Sequence, residues 1–316
     1  GISREEIFSE LGGFRQGDHS LYDGRMFGHA FLVNDELRRV AEEAFVMYLW
    51  ENALDAGLFP SLMEIERDVV SMSAAHLSGD SEVVGNFTSG GTESVLLGVK
   101  TARDRARAVH GITAPEMVIP VTAHASFHKA AEYFCLKPVF IPVDPVTLRA
   151  DVTAARDAIT DNTALIVASA VAYAPGVVDP VPELAELARS RDISLHVDGC
   201  IGAFLLPYFR ELGVGFPDFD FRVPGVTSMS MDFHKYGFAP KGASVILHKN
   251  REYRQYQFFA SSKWTGYTII NPTVQSSRSG GALAATWAVM NYLGQEGYRR
   301  VAKELHHATE EIKKAI

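Results

Sequence analysis

The stretch SMSMDFHKYGFAPKGASVILHKN (residues 228–250) holds two short apolar runs, SMSM and ASVILH, separated by a polar insert. Apolar runs of this length read as strands buried on both faces, the kind found in parallel sheets. The insert puts Asp232, His234 and Lys235 at the end of the first run. A second lysine, Lys241, follows in a Pro–Lys–Gly turn. A lysine flanked by core on both sides is either a snorkelling side chain at a loop or an amine kept for chemistry.

Outward from this stretch the pattern repeats. EMVIPVTAH (116–124), PVFIPVD (138–144), ALIVASAVA (164–172) and SLHVDG (194–199) are further strand-like runs. ESVLLGVKTARDRARAVHG (93–111), VTAARDAIT (152–160) and VPELAELARSR (181–191) are helical stretches between them. Strands alternating with helices predict an α/β fold with a mostly parallel central sheet and helices on both faces. Before this region, residues 1–77 read as an N-terminal helical segment. Leu37, Val40, Ala44, Met47 and Tyr48 recur at helical spacing, as do Leu62, Ile65, Val69 and Met72. Residues 78–290 form the large α/β domain in this reading, and 291–316 begin a charged helix that stops without a C-cap signal. More chain following, or a terminal helix that frays, both account for that ending.

Composition narrows the partners. With 316 residues, 47% apolar content and 22% charged content, the chain is ordinary for a globular protein. A net charge of −8 argues against nucleic acid or an anionic membrane as a bulk partner. Cys135 and Cys200 are too few for a disulfide framework, no apolar run spans a bilayer, and GISREEIFSE has no signal-peptide core. A cytoplasmic location is the expectation.

In open α/β sheets, ligands bind beyond the carboxyl ends of strands. His124, Asp198, and the Asp232–His234–Lys235 group all fall there, and TSGGTES (88–94) precedes the first long helix. In TSGGTES, Gly90 and Gly91 let backbone N–H groups approach a phosphate, with hydroxyls from Ser89 and Thr92. Such turns also open many helices with no ligand. Asp198 is a turn or capping aspartate, or a fixed negative charge facing a protonated ring nitrogen. His124 and His128 have the i, i+4 spacing of a metal pair, but no third ligand is in reach of local spacing, so no metal is expected. The glycine fingerprint of a nucleotide-binding oxidoreductase is missing. A phosphate cup, an aldehyde-binding lysine, a carboxylate and a flat partner for a ring together suit pyridoxal 5′-phosphate.

TSGGTES, HASFHKAAEYF (124–134), HVDGCIGAF (196–204), DFHKYGFAPKGASVIL (232–247) and SSRSGG (276–281) closely resemble the sphingosine-1-phosphate lyases, within the group II pyridoxal-phosphate-dependent decarboxylases. The similarity runs from about Leu37 to the end of the chain. It implies pyridoxal-phosphate fold type I, a homodimer with its active site at the interface, and a small C-terminal domain of which only the start is present here. It assigns Lys235 to the cofactor aldehyde, Asp198 to the pyridine nitrogen and His124 to the ring face. Ser89, Gly90, Gly91, Thr92 and His234 surround the phosphate, and Lys241 lies near the substrate, held by a turn at residues 239–242. The implied substrate is a phosphorylated amino alcohol, cleaved between two carbons to an aldehyde and a phosphorylated amine. Asn52, Asp55, Phe31, Tyr267 and Arg278 are the substrate-side candidates. Three positions depart from the family pattern: Phe31 and Ile269 replace tyrosines, and Asp55 replaces a histidine. These changes leave room for an amino-acid decarboxylase, or for a catalytically silent relative that binds the cofactor.

Overall fold

The computed structural model describes residues 1–22, 26, 28–54 and 57–316. The chain opens with α1 (Arg4–Phe14), then α2 (Asp35–Met47) and α3 (Pro60–His76). The α/β part runs β1 (Val84–Thr88), α4 (Gly91–His110), β2 (Glu116–Pro120), α5 (Ala125–Phe134), β3 (Lys137–Ile141), α6 (Val152–Ala158) and β4 (Thr163–Ala172). It continues with β5 (Val177–Val178), α7 (Val181–Ser190), β6 (Ser194–Asp198), α8 (Leu206–Glu211), β7 (Ser228–Asp232) and β8 (Ser244–His248). After these come α9 (Arg251–Arg254), a ribbon of β9 (Phe259–Ser261) and β10 (Ile269–Asn271), and the long α10 (Gly281–Ala315).

The main sheet has the order β1-β8-β7-β6-β4-β2-β3, with β5 added to β4. Pairings from β3 through β7 are parallel, while β8 runs antiparallel to both β7 and β1. The stretch 228–250 is therefore the place where the sheet reverses. Ser228 pairs with His248 and Asp232 with Ser244, leaving the polar insert as the connection between the two strands.

Strand side chains alternate between faces. Met117 and Ile119 of β2, with Leu165 and Val167 of β4, pack in one core with Val95 and Val99 of α4 and Phe127 of α5. Val118, Ile166, Ala168 and Leu195 point the other way, into the core formed with α7, α8 and α10. Two cores, one per face, are what near-continuous apolar strands require.

β1 was not among the expected strands. VGNFT has a glycine and an asparagine, both poor strand formers. It forms because β8 lies so close that a Cβ at Gly85 would stand 2.2 Å from the Ile246 carbonyl oxygen. α2 is also shorter than its pattern: Leu37 and Ala41 are buried, but Met47 is exposed and ends the helix. α10 starts ten residues before the expected boundary at 291 and is broken at Gly294, which has φ 54°. Among the described residues no helix is long and apolar enough to cross a membrane.

Candidate active site

The carboxyl ends of β2, β4, β6 and β7, and the turn after β1, converge on a cavity of about 300 Å³. Its walls include Ser89, Gly90, Gly91, Thr92, His124, Asp198, His234 and Lys235, eight residues singled out from the sequence.

One wall is the start of α4. This 20-residue helix has no side-chain cap at Gly90, so its first-turn amides have no capping partner. An uncapped helix start carries partial positive charge and free N–H donors, a combination that favours an anion. Gly91 must be glycine, since a Cβ there would lie 2.8 Å from both Asp232 carboxylate oxygens and from Cys200 Sγ. A line of hydroxyls fixes the helix to the sheet. Ser94 Oγ bonds Thr88 Oγ1 at 2.7 Å and Ser244 Oγ at 2.9 Å, and Ser244 donates to the Met231 carbonyl.

Asp198 ends β6. Its Oδ1 accepts from the Cys200 N–H at 3.0 Å and from the Ser230 hydroxyl at 3.3 Å. Behind Ser230 stands His196, fully buried, with Nε2 3.3 Å from Ser230 Oγ and Nδ1 2.9 Å from Ser228 Oγ. Since Ser230 donates to Asp198, it accepts from His196 Nε2–H, and Nδ1 then accepts from Ser228. Burial lowers the His196 imidazole to about 4, so the ring stays neutral and this order of donors holds. The relay clamps Asp198 through one oxygen and leaves Oδ2 without a described hydrogen bond.

His124 caps α5: its Nδ1 accepts from the Ser126 N–H and lies 2.9 Å from Ser126 Oγ. One nitrogen is thus used in aiming the ring. His128 instead packs against Phe140, and among the described residues no group of three His, Cys, Asp or Glu is placed to hold a metal.

Lys235 lies 3.0 Å from Asp232 Oδ2, and His234 Nε2 lies 3.5 Å from the same oxygen. Burial alone would lower the Lys235 ammonium; the Asp232 carboxylate in contact, with Asp198 nearby, outweighs it, and the net direction is up. Burial moves His234 down. Lys241 is outside the cavity wall. Its Nζ donates to the His234 carbonyl at 2.9 Å and sits over the Phe31 ring at 5.2 Å; desolvation and Lys235 both lower its ammonium. The chain turns over residues 233–237 and bends again at Lys241 and Gly242, rather than making one turn at 239–242.

The described substrate-side candidates, Phe31, Asn52, Tyr267 and Arg278, are not among the residues lining this cavity. Phe31 packs edge-on against Tyr236 with ring centres 4.9 Å apart. Asn52 and Arg278 line a separate cavity of about 210 Å³, where the Asn52 amide oxygen accepts from the Arg278 N–H and Arg278 donates to Thr273. Tyr267 is exposed and packs on Trp264. Asp55 lies outside the described residues. Glu93 and Asp232 also line the cavity, and neither was assigned a role from the sequence. Glu93 Oε2 accepts from the Ser89 N–H and hydroxyl, both at 2.7 Å, and Oε1 from the Val274 and Gln275 amides at 2.7 and 3.2 Å. Its signal was an acid in the first turn of a helix whose start lines the cavity.

A fold with this strand order, a lysine just past one strand, an aspartate ending the next and an uncapped helix start opposite defines the fold type I class of pyridoxal-phosphate enzymes. The donor set fits that cofactor: helix-start amides for the phosphate, a free carboxylate oxygen for the ring nitrogen, an amine for the aldehyde. The chain belongs to the pyridoxal-dependent decarboxylase family, whose conserved domain matches residues 41–316. It is similar to the sphingosine-1-phosphate lyase of Oryza sativa subsp. japonica, with 45% identity over 92% of this chain and 53% of that protein. The solved sphingosine-1-phosphate lyase of Burkholderia pseudomallei K96243 superposes with a TM-score of 0.92 and 39% identity, covering 96% of this chain and 71% of that one. A probable L-aspartate decarboxylase of Pyrococcus furiosus is 36% identical over 99% of this chain and 83% of its own. The chain spans 53–60% of the length of the first few curated lyases it matches.

Proposed function

We propose that this protein is a pyridoxal-phosphate-dependent carbon–carbon lyase that cleaves a phosphorylated sphingoid base to a long-chain aldehyde and phosphoethanolamine. The observation that carries the reading is the meeting of Lys235, Asp198, His124 and the 89–92 turn in one cavity, in a chain similar to lyases of that name. When bound, the cofactor supplies an electron sink for the pair left behind as the bond between Cα and the hydroxyl-bearing carbon breaks. The protein's residues bind and aim. The α4 amides, Ser89, Thr92 and His234 hold the phosphate; Asp198 keeps the ring nitrogen charged; His124 covers one ring face; Lys235 takes the aldehyde carbon. Lys241, drawn toward its neutral form beside Lys235, exchanges the proton of the substrate hydroxyl.

The working unit in this reading is a cytoplasmic homodimer. Asn52, Tyr267 and Arg278 lie away from their own chain's cavity, on a side that also exposes Trp50, Trp264 and Ile270. A second subunit covering that side buries these apolar side chains and brings substrate-side groups to the neighbouring site. The division into 1–77, 78–290 and 291–316 is kept, with the turn of α10 at Gly294 leading toward the small domain.

Amino-acid decarboxylation is the second reading, favoured by the similarity to a probable L-aspartate decarboxylase and by Phe31 and Ile269 lacking hydroxyls. The test is incubation of the purified protein with sphingoid-base phosphate and, separately, with aspartate. Long-chain aldehyde from the first is expected. Carbon dioxide from aspartate, with no aldehyde from the phosphate, would reject the lyase reading in favour of the second.

A further inference from the structure

Three carboxylates line the cavity, and two are held by hydrogen bonds from neighbouring N–H and O–H groups. Glu93 accepts four N–H and O–H donors, and Asp198 Oδ1 accepts from a backbone amide and from Ser230. Asp232 differs. It is 2% exposed, and among the described residues the partners of its Oδ2 are Lys235 Nζ at 3.0 Å and His234 Nε2 at 3.5 Å. Its Oδ1 is sealed from solvent with no hydrogen-bond partner among the described residues. A buried carboxylate so poorly hydrogen-bonded persists only while a cation rests on it. His234 is drawn toward its neutral form by burial, so the cation is Lys235. The i, i+3 spacing across the tight turn after β7 delivers the amine to that oxygen.

We propose that Asp232 is the docking anion of the Lys235 amine, holding it as an ammonium whenever it is free and receiving it again each time an incoming amine displaces it from the cofactor. This rests on the cofactor reading above. In the exchange, an incoming ammonium nitrogen would form its double bond to the aldehyde carbon and give up two protons. Lys235 nitrogen would lose its double bond to that carbon and gain those two, leaving as an ammonium, so protons and charge are unchanged. Asp232 stabilises the departing nitrogen in its charged form, which has no lone pair with which to return. The other groups facing the pair are Asp198 and Cys200 from the end of β6, His234 beside it, and Lys241 across the bend. The Cys200 thiol, raised by burial, stays neutral. Asp198 is tied through Oδ1 to its own partners, so Asp232 is the charge in contact.

The test measures acetylation of Lys235 in cofactor-free protein against pH, read by peptide mapping, for the wild type and Asp232→Asn. In the wild type the rate should keep rising about tenfold per pH unit to about pH 10, as for an amine that is still charged. A plateau below about pH 9 in the wild type overturns the proposal without recourse to any variant. Asp232→Asn should bring the plateau down by a unit or more, with labelling about tenfold faster at neutral pH, and Asp232→Glu should restore the rise. The same plateau position and the same neutral-pH rate in wild type and Asp232→Asn overturn it as well. Borohydride reduction of the cofactor-loaded protein, mapped in parallel, separates the two ideas. Modification of a different lysine ends the cofactor reading, while the Asp232 result stands or falls on its own slope.

Discussion

Glu93 sets a problem of charge, since it places an acid in the first turn of the helix whose free amides face the phosphate position. Its four donors resolve it: the carboxylate is turned back from the cavity and ties the 89–92 turn to Val274 and Gln275, 181 and 182 residues away. Glu93→Gln puts an NH₂ against donors at one side, leaving N–H groups unpaired at a cost of about 1–3 kcal/mol. The expected result is about a tenfold or greater loss of pyridoxal-phosphate affinity by absorbance titration, with unchanged far-ultraviolet circular dichroism. Full affinity in the variant would show that the turn keeps its shape without the tie. Lys235, His124 and Asp198 could be read from sequence because each sits at the end of an apolar run, where position alone suggests chemistry. The place of Asp232 was legible in the same way, but its role, like that of Glu93, was not, because a carboxylate's role depends on which amide or amine the fold brings to it.

At the scale of elements, β1 carries the most consequence for its length. It is parallel to β7 across β8, and it hands the chain directly to the phosphate turn. Its place depends on Gly85, whose hypothetical Cβ would meet the Ile246 oxygen at 2.2 Å and Leu247 Cδ2 at 2.8 Å. Gly85→Ala must push β1 off β8, and overpacking of this kind costs about 3 kcal/mol or more. A lowered urea midpoint together with weaker cofactor binding is the expected pair of results. Loss of stability with cofactor affinity intact would mean that the turn is positioned by α4 rather than by β1. Strands β2, β4, β6, β7 and β8 were legible because each is a short run rich in apolar residues and bounded by turn or helix signals, a composition that burial on both faces favours. β1 was illegible because the glycine that permits its close approach is the residue that argues against a strand.

Over the whole molecule, the buried histidines tie stability to pH. His196 lies in the Ser228–Ser230 relay and His248 is bonded to Gln257 at 2.7 Å; burial lowers them to about 4 and about 3. His76 and His234 move the same way. Each group has a folded value below its ordinary one near 6.5, so the unfolded chain takes up protons first as pH falls. The stability they contribute is complete above about 6.5 and declines steadily as pH drops toward 4, where His196 begins to charge within the fold. In that window His196 and His248 each contribute a slope of about 1.4 kcal/mol per pH unit. Cofactor-free protein is the right sample, since a bound ligand adds its own pH dependence. Urea unfolding between about pH 7 and pH 4.5 should show a midpoint that falls with acid. His248→Gln should lie lower at pH 7 yet fall less steeply, because one proton fewer is taken up on unfolding. Equal slopes in the two proteins would mean that His248 already shares its proton with the folded state, and that the Gln257 contact holds an imidazolium.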